Sequence, residues 1–376
     1  MKWEYKTLDQ LGTVSRGKSK HRPRNDPKLF GGKYPFIQTA DVKNADYYIT
    51  KYSDTYNESG LAQSKLWDKG TLCITIAANI ADTGVLAFPA CFPDSIMGFV
   101  PFEGVANTRF IKYCFDRLQR DCKQISQGTA QDNLSWEKLS TIKFCIPEYK
   151  EQCRIADILS AYDDLIENNQ KQIKLLEEAA QRLYKEWFVD LHFPGHENTK
   201  IVDGVPEGWS RGLLKELISV NYGKDHKKAP DDGNIPVYGS GGLMRKCNKS
   251  LFSGEAVLIP RKGSLNNIMY VDETFWTVDT MFYATMKQPH TAVFVYFFVK
   301  AFDMYSMNIG AAVPSMTTKI LDAMDVVIPD KETLEKFDKY AKVYFNKIKT
   351  LQGQNEQLKT ARDLLLAKLM SGEVEV

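Results

Sequence analysis

A chain of 376 residues that is 43% hydrophobic exceeds one ordinary domain and has apolar content for a sizeable core. Its seven cysteines, at 73, 91, 114, 122, 145, 153 and 247, form no CxxC pair and are odd in number, which argues against a disulfide framework or a zinc ribbon; reduced thiols, mostly buried, are expected. The opening MKWEYK lacks an apolar signal core, and the densest apolar run, residues 294–299, is far too short to span a bilayer, so a soluble, cytoplasmic chain without membrane contact is expected. A net charge of +2 does not by itself point to nucleic acid. Its distribution says more: residues 1–147 hold 20 Lys and Arg against 15 Asp and Glu, whereas 148–190 hold 6 against 10.

In chain order, residues 1–147 form a first globular part with short β-like runs, notably 34–39 and 71–77, broken by Gly, Pro, Asn and Asp clusters that read as loops. Residues 12–19, GTVSRGKS, satisfy the phosphate-loop pattern GxxxxGK[ST]. Such a loop needs an apolar strand before it and a helix after it, but Leu8, Leu11 and Val14 read as one helical face and KHRPR follows, so nucleotide binding is not expected. The same stretch places Arg16, Lys18, Lys20, Arg22 and Arg24 within nine residues, among Gly, Ser and Pro that keep it extended. Five cations there can neutralise DNA phosphates with strong salt dependence, or form a solvated charge run.

Residues 148–190 carry one long helix. Ile155, Leu159, Tyr162, Ile166, Asn169, Ile173, Leu176, Ala180, Leu183 and Trp187 recur in strict 4,3 spacing, which keeps one seam facing a partner helix. A Pro- and Gly-rich linker, 191–208, follows. The chain then repeats itself. Residues 209–224 align on 3–18 without a gap at an offset of 206, with Trp, Leu, Leu, Val, Gly and Lys identical; residues 310–329 align on 128–147 at an offset of 182, with five identities. Adding 182 to the first stripe gives a second, Phe337, Ala341, Tyr344, Ile348, Leu351, Asn355, Leu358, Arg362, Leu365 and Leu369, within the helix 330–376. The segment 209–329 is the second globular part.

Two such helices in one chain most simply pair antiparallel. The 33 residues from 155 to 187 would span about 50 Å, more than one turn of B-DNA, so two units could address two half-sites. Periodicity alone leaves a generic coiled-coil dimeriser with repeated flanking domains equally open. Buried Asn169 and Asn355 are expected to set register, and Arg362 is expected near the end of the coil or facing Asp or Glu of the other helix.

The residues from QGTAQDNLSWEKLS through IPEYKEQCRIADILSAYDDLIENNQKQIKLLEEAAQRLYKEWF closely resemble the central conserved region of type I restriction-modification specificity subunits. IPVYGSGG (235–242), VLIPRKGS (257–264) and FWTVDTMFY (275–283) are similar to motifs that line a recognition domain in that family. The resemblance covers essentially the whole chain. It implies an α/β (α+β) fold with two repeated target-recognition domains separated by an antiparallel coiled coil. It further implies a non-catalytic subunit that reads a two-part asymmetric double-stranded DNA sequence and has no cofactor of its own. Two modification subunits would use S-adenosylmethionine, and restriction subunits would use ATP and Mg. Two departures stand out: the first helix follows a single Pro in IPEYKEQ, and IPDKETLEKF lacks the Glu151-Gln152 pair, so the two helix starts are not expected to contact a modification subunit identically.

Glycine lets backbone approach DNA closely, Arg can grip guanine through two parallel hydrogen bonds, and Asn can do so with adenine. In the second unit the candidates are Ser240, Gly241, Arg245, Lys246, Arg261, Lys262, Ser264 and Asn266, with Arg261 the preferred base reader and Asn267 beside Asn266. An offset of 184, which aligns Gly70 with Gly254, sets Ala77-Ala-Asn79-Ile opposite Arg-Lys-Gly-Ser, and Asn79 is the first unit's counterpart candidate. Solvent or structural roles compete at each position. No [DN]-PP-[YF] methyltransferase site is present, and His192 and His196 straddle Pro194 and cannot lie one turn apart on a helix, so no metal site is expected. The rival classes are a structural coiled-coil scaffold and, through the phosphate-loop pattern alone, an NTPase.

Overall fold

The computed structural model describes residues 3–76, 82–125, 136–307 and 315–374. The chain divides into two compact units, Met1–Asn169 with Gly353–Val376, and Gln170–Gln352, so each unit contains part of both long helices.

In the first unit, strand Glu4–Lys6 pairs antiparallel with Phe144–Ile146. A five-stranded sheet follows the order Gly12–Arg16, Ile96–Pro101, Leu72–Thr75, Thr83–Leu86, Tyr48–Ile49, and a four-stranded sheet the order Asp54–Tyr56, Phe30–Phe36, Ala90–Cys91, Leu66–Trp67. Helix Thr108–Ile125 supplies Phe110, Ile111 and Phe115 to a core shared with Leu8, Leu72 and Phe99. Ile155 and Leu159 from one long helix, and Leu366 and Leu369 from the other, close the same core.

The second unit repeats this plan in one six-stranded sheet, ordered Ile218–Tyr222, Met281–Met286, Phe252–Pro260, Met269–Thr277, Ile235–Gly239, Gly242–Cys247. Its short helix Ala292–Lys300 is apolar on nearly every side because it is buried on nearly every side. This is the apolar run seen in the sequence. Among the described residues, no helix is long and apolar enough to cross a membrane.

The repeat is visible in strand register. Glu4 pairs with Ile146 and Ser210 with Ile328, which reproduces the offsets 206 and 182 in one contact. Gly12 pairs with Pro101 and Ile218 with Met286, and Leu72 pairs with Val85 as Val257 does with Tyr270. The middle of the sheet therefore follows an offset of 185. That corrects the offset of 184: the pairing of strands, which a single glycine match cannot reveal, sets Ile76 rather than Ala77 opposite Arg261. Their backbones agree, since Ile76 N–H donates to Ser95 O at 3.1 Å and Arg261 N–H to Thr280 O at 2.8 Å.

The helices are Tyr149–Tyr184, continued by a π turn over Lys185–Val189, and Lys331–Ser371. All ten positions of each heptad stripe are buried or half-buried. In the first unit Asn169 donates its side-chain amide to Asn355 Oδ1 at 2.9 Å, and Arg362 pairs with Asp163. In the second, the Trp187 and Phe337 rings lie 5.8 Å apart. Within the first unit the partner number rises on one helix as it falls on the other, from Asp163 with Arg362 to Asn169 with Asn355, which is antiparallel packing.

Two local expectations change. Leu8 and Leu11 are buried on the four-residue helix Leu8–Leu11, but Val14 belongs to strand Gly12–Arg16 and not to their helical face. The run 34–39 is strand only to Phe36, and helix Thr39–Lys43 begins within it.

Candidate nucleic-acid interface

The cationic segment of the first unit starts on the strand Gly12–Arg16 and continues extended. Arg16, Lys18 and Lys20 are exposed while the intervening Gly17 and Ser19 are buried, so the three cations share one face by period-two alternation. The backbone beneath them is pinned. Lys18 N–H donates to Phe92 O at 3.0 Å, Lys20 N–H to Gln63 O at 3.4 Å, and the Ser64 hydroxyl to Lys18 O at 2.7 Å. A Cβ on Gly17 would lie 2.3 Å from Phe92 O, so the glycine that imitates a phosphate loop is there for close strand contact. A strand runs through the pattern, and the first described helical turn after it is Pro27–Leu29. This geometry is incompatible with a phosphate loop.

Arg22 and Arg24 differ from those three. Arg22 Nη1 donates to Ser19 O and His21 O at 2.7 and 2.8 Å, fastening the loop to itself. Arg24 Nη2 donates to both carboxylate oxygens of Asp94, at 2.6 and 2.8 Å. Arg24 also lines a groove of about 440 Å³ with Asn25, Phe36, Gln38, Asp54 and Ser95. Gln38 is held there by its amide donating to Asp54 at 2.5 Å. Asn79 lies outside the described residues.

The second unit brings Ser240, Gly241, Arg261, Lys262 and Ser264 onto two adjoining loops. Asn267 ties them by donating its amide to Ser240 O at 2.9 Å, and Tyr305 OH donates to Gly263 O at 3.2 Å. The Arg261 guanidinium lies 5.5 Å from the Tyr222 ring centre and reaches Asp279 O at 3.4 Å. Lys262 and Ser264 are exposed. Two other candidates are engaged by groups of the protein itself. Arg245 pairs with Asp231 and donates to Ala229 O at 2.7 Å, clamping the preceding loop. Asn266 donates to Asp303 Oδ1 at 3.0 Å and accepts from Met304 N–H at 2.8 Å. Lys246 is exposed on the strand Gly242–Cys247.

Sequence inspection passed over Tyr222, Lys224, Lys227 and Lys228, all exposed on the counterpart of the first unit's cationic segment. The signal was available, because the 206 offset carries Lys18 onto Lys224. Gln152, one of the pair that distinguishes the two helix starts, has an internal role. It is buried, donating to Val105 O and Pro147 O at 3.0 Å each and accepting from Asn107 N–H at 3.1 Å, so it locks the start of the helix internally. Its counterpart at offset 182, Leu334, is buried as an apolar residue.

His192 and His196 have ring centres 5.2 Å apart, and their Nδ1 atoms face Glu186 and Phe193 O. Among the described residues no group of three or more His, Cys, Asp or Glu could hold a metal.

A frame repeated within one chain, carrying different loops at matched positions, defines a duplicated recognition protein. The particular family follows from comparison: a model described as the type I restriction modification DNA specificity domain matches residues 1–178 and 206–360, and the chain belongs to that family. The MjaIX specificity subunit of a type I restriction enzyme from Methanocaldococcus jannaschii is 25% identical, over all of this chain and 94% of its own length. The MjaVIII specificity subunit of that organism is 23% identical over 71% of this chain and 70% of its own. A crystal structure of the type I restriction-modification S subunit from M. genitalium shares the fold, with a TM-score of 0.56 at 20% identity over 98% of this chain and 96% of that one. Membership sets aside the scaffold and NTPase alternatives.

Proposed function

We propose that this chain is the non-catalytic specificity subunit of a type I restriction-modification complex and works in the cytoplasm. Each unit reads one part of an asymmetric double-stranded DNA sequence, and the helices set the spacing between the parts. Two modification subunits would bring S-adenosylmethionine, and restriction subunits ATP and Mg. The observation that carries this reading is the pairing of one repeated frame with unlike loops: register sets Ile76 where the other unit has Arg261. Two copies of one reader would need matching side chains; readers of two different sequences need different ones.

Phosphate contacts would supply affinity and base contacts would supply choice. Arg16, Lys18 and Lys20 suit the first role because they are exposed side by side and, among the described residues, no carboxylate pairs with them. Fluorescence anisotropy with random-sequence DNA, with and without a modification subunit, tests the proposal. Replacing these three residues with Ala should weaken binding to every sequence and flatten the slope of log affinity against log salt by about 3. An unchanged slope would remove the segment from the interface, and no DNA binding by any assembly would remove the function.

A further inference from the structure

The two units each dock an arginine on the same loop but draw it from different elements. Register at offset 185 makes Asp94 and Ser95 the counterparts of Asp279 and Thr280. In the second unit the arginine on that loop is Arg261, contributed from just beyond strand Phe252–Pro260, with Nη1 facing Asp279 O. The matching position in the first unit is Ile76, which has no hydrogen-bonding group to offer a base. Arg24 arrives there instead, from the loop after strand Gly12–Arg16, and bonds Asp94 through both carboxylate oxygens.

We infer that Arg24 is the base-reading side chain of the first unit, with guanine as its target. The inference rests on the proposed DNA-reading function and deepens it. Two physical arguments separate base reading from phosphate binding. An arginine paired with Asp94 has little net charge to offer a phosphate, so it releases few counterions and is a poor choice for sequence-independent affinity. The pair nonetheless leaves Nη1 without a partner among the described residues and holds the guanidinium plane in place, and Nη1 together with the second hydrogen of Nη2 makes the end-on fork that suits two parallel bonds to guanine O6 and N7. Its side chain is 48% exposed, so it can be reached. The groove beside it, lined by Asn25, Gln38 and Ser95, offers further polar groups to a neighbouring base. Arg24 thus leaves the phosphate-neutralising set to which its place in the cationic segment first assigned it.

The test uses the full chain assembled with its modification subunits, and reads the methylated motif from DNA sequencing alongside affinity measured against salt. Arg24→Lys keeps the charge but loses the planar fork, and should relax one G in one half of the motif, with discrimination falling on the order of 10- to 100-fold and the salt slope unchanged. Asp94→Asn should relax the same position while raising affinity for random DNA, because it frees the charge of Arg24. An Arg24→Lys complex with the wild-type motif overturns the assignment, as does Arg24→Ala that lowers affinity for all sequences alike and reduces the slope by about 1. A wild-type complex with no sequence preference overturns the proposed function and the assignment together. Matching thermal melts for the three variants show that a relaxed motif is not a folding defect.

Discussion

Asn169 and Arg362 are polar residues in an apolar seam, and they are satisfied in different ways. Asn169 meets Asn355, a neutral pair whose loss is modest but whose placement is specific. Asn169→Leu should destabilise the protein by about 1–3 kcal/mol in urea unfolding, because it strands the buried Asn355 amide. Asn169→Leu with Asn355→Leu should recover that loss while weakening the preference for one register. If the double variant were no more stable than the single one, the pair would not be the register device. Arg362 faces the buried Asp163, so Arg362→Ala leaves a carboxylate without its cation and should cost about 3–5 kcal/mol. Burial pushes the Asp163 carboxyl above its ordinary value even beside Arg362. A raised folded-state pKa favours the folded state below the unfolded value, and that advantage is lost as pH rises through the folded one. The Arg362→Ala defect should therefore shrink between pH 7 and pH 4, read as converging urea midpoints.

At the scale of elements, the start of helix Lys331–Ser371 shows how a local cap joins a tertiary contact. Asp330 accepts Thr333 N–H at 2.9 Å, the Thr333 hydroxyl at 2.7 Å and the Trp209 indole N–H at 3.0 Å. Burial pushes its carboxyl up, but these donors outweigh it and hold the group below the usual carboxylate range. A depressed carboxyl contributes stability above the unfolded value near 3.9 and loses it as pH falls through the folded one. Asp330→Ala should cost about 1–2 kcal/mol at pH 7, with the gap closing in strong acid. The same elements show what local pattern conveys. Heptads were legible because a 3.5-residue period survives in sequence whatever the partner. Strands of two to five residues were not, because Val14 among Leu8 and Leu11 fits a helical spacing as well as a bent helix-to-strand passage.

For the whole molecule, the matched helices make a length prediction. Inserting seven residues within 170–178 alone should displace the seam against its partner and lower stability, since every knob beyond the insertion meets the wrong hole. Inserting seven in both helices should restore stability and lengthen the unread spacer in the methylated motif. A spacer of unchanged length in the matched variant would sink the idea that the helices set it. The duplicated frame was legible at this scale from two short alignments, because the shared residues are those with strict steric duties. Gly17 and Gly223 each touch backbone carbonyl oxygen where a Cβ would clash.

Periodicity and internal repetition were enough to establish two globular units and two heptad helices whose simplest pairing is antiparallel, because these depend on residue spacing along one chain. The tertiary structure alone decided which cations are available. Arg16, Lys18 and Lys20 share an exposed face, Arg22 ties its own loop, Arg245 clamps another, and Arg24 rests on Asp94 seventy residues away. The charge of an arginine is written in the sequence, but its hydrogen-bond partners depend on which distant segments the fold brings within three ångströms.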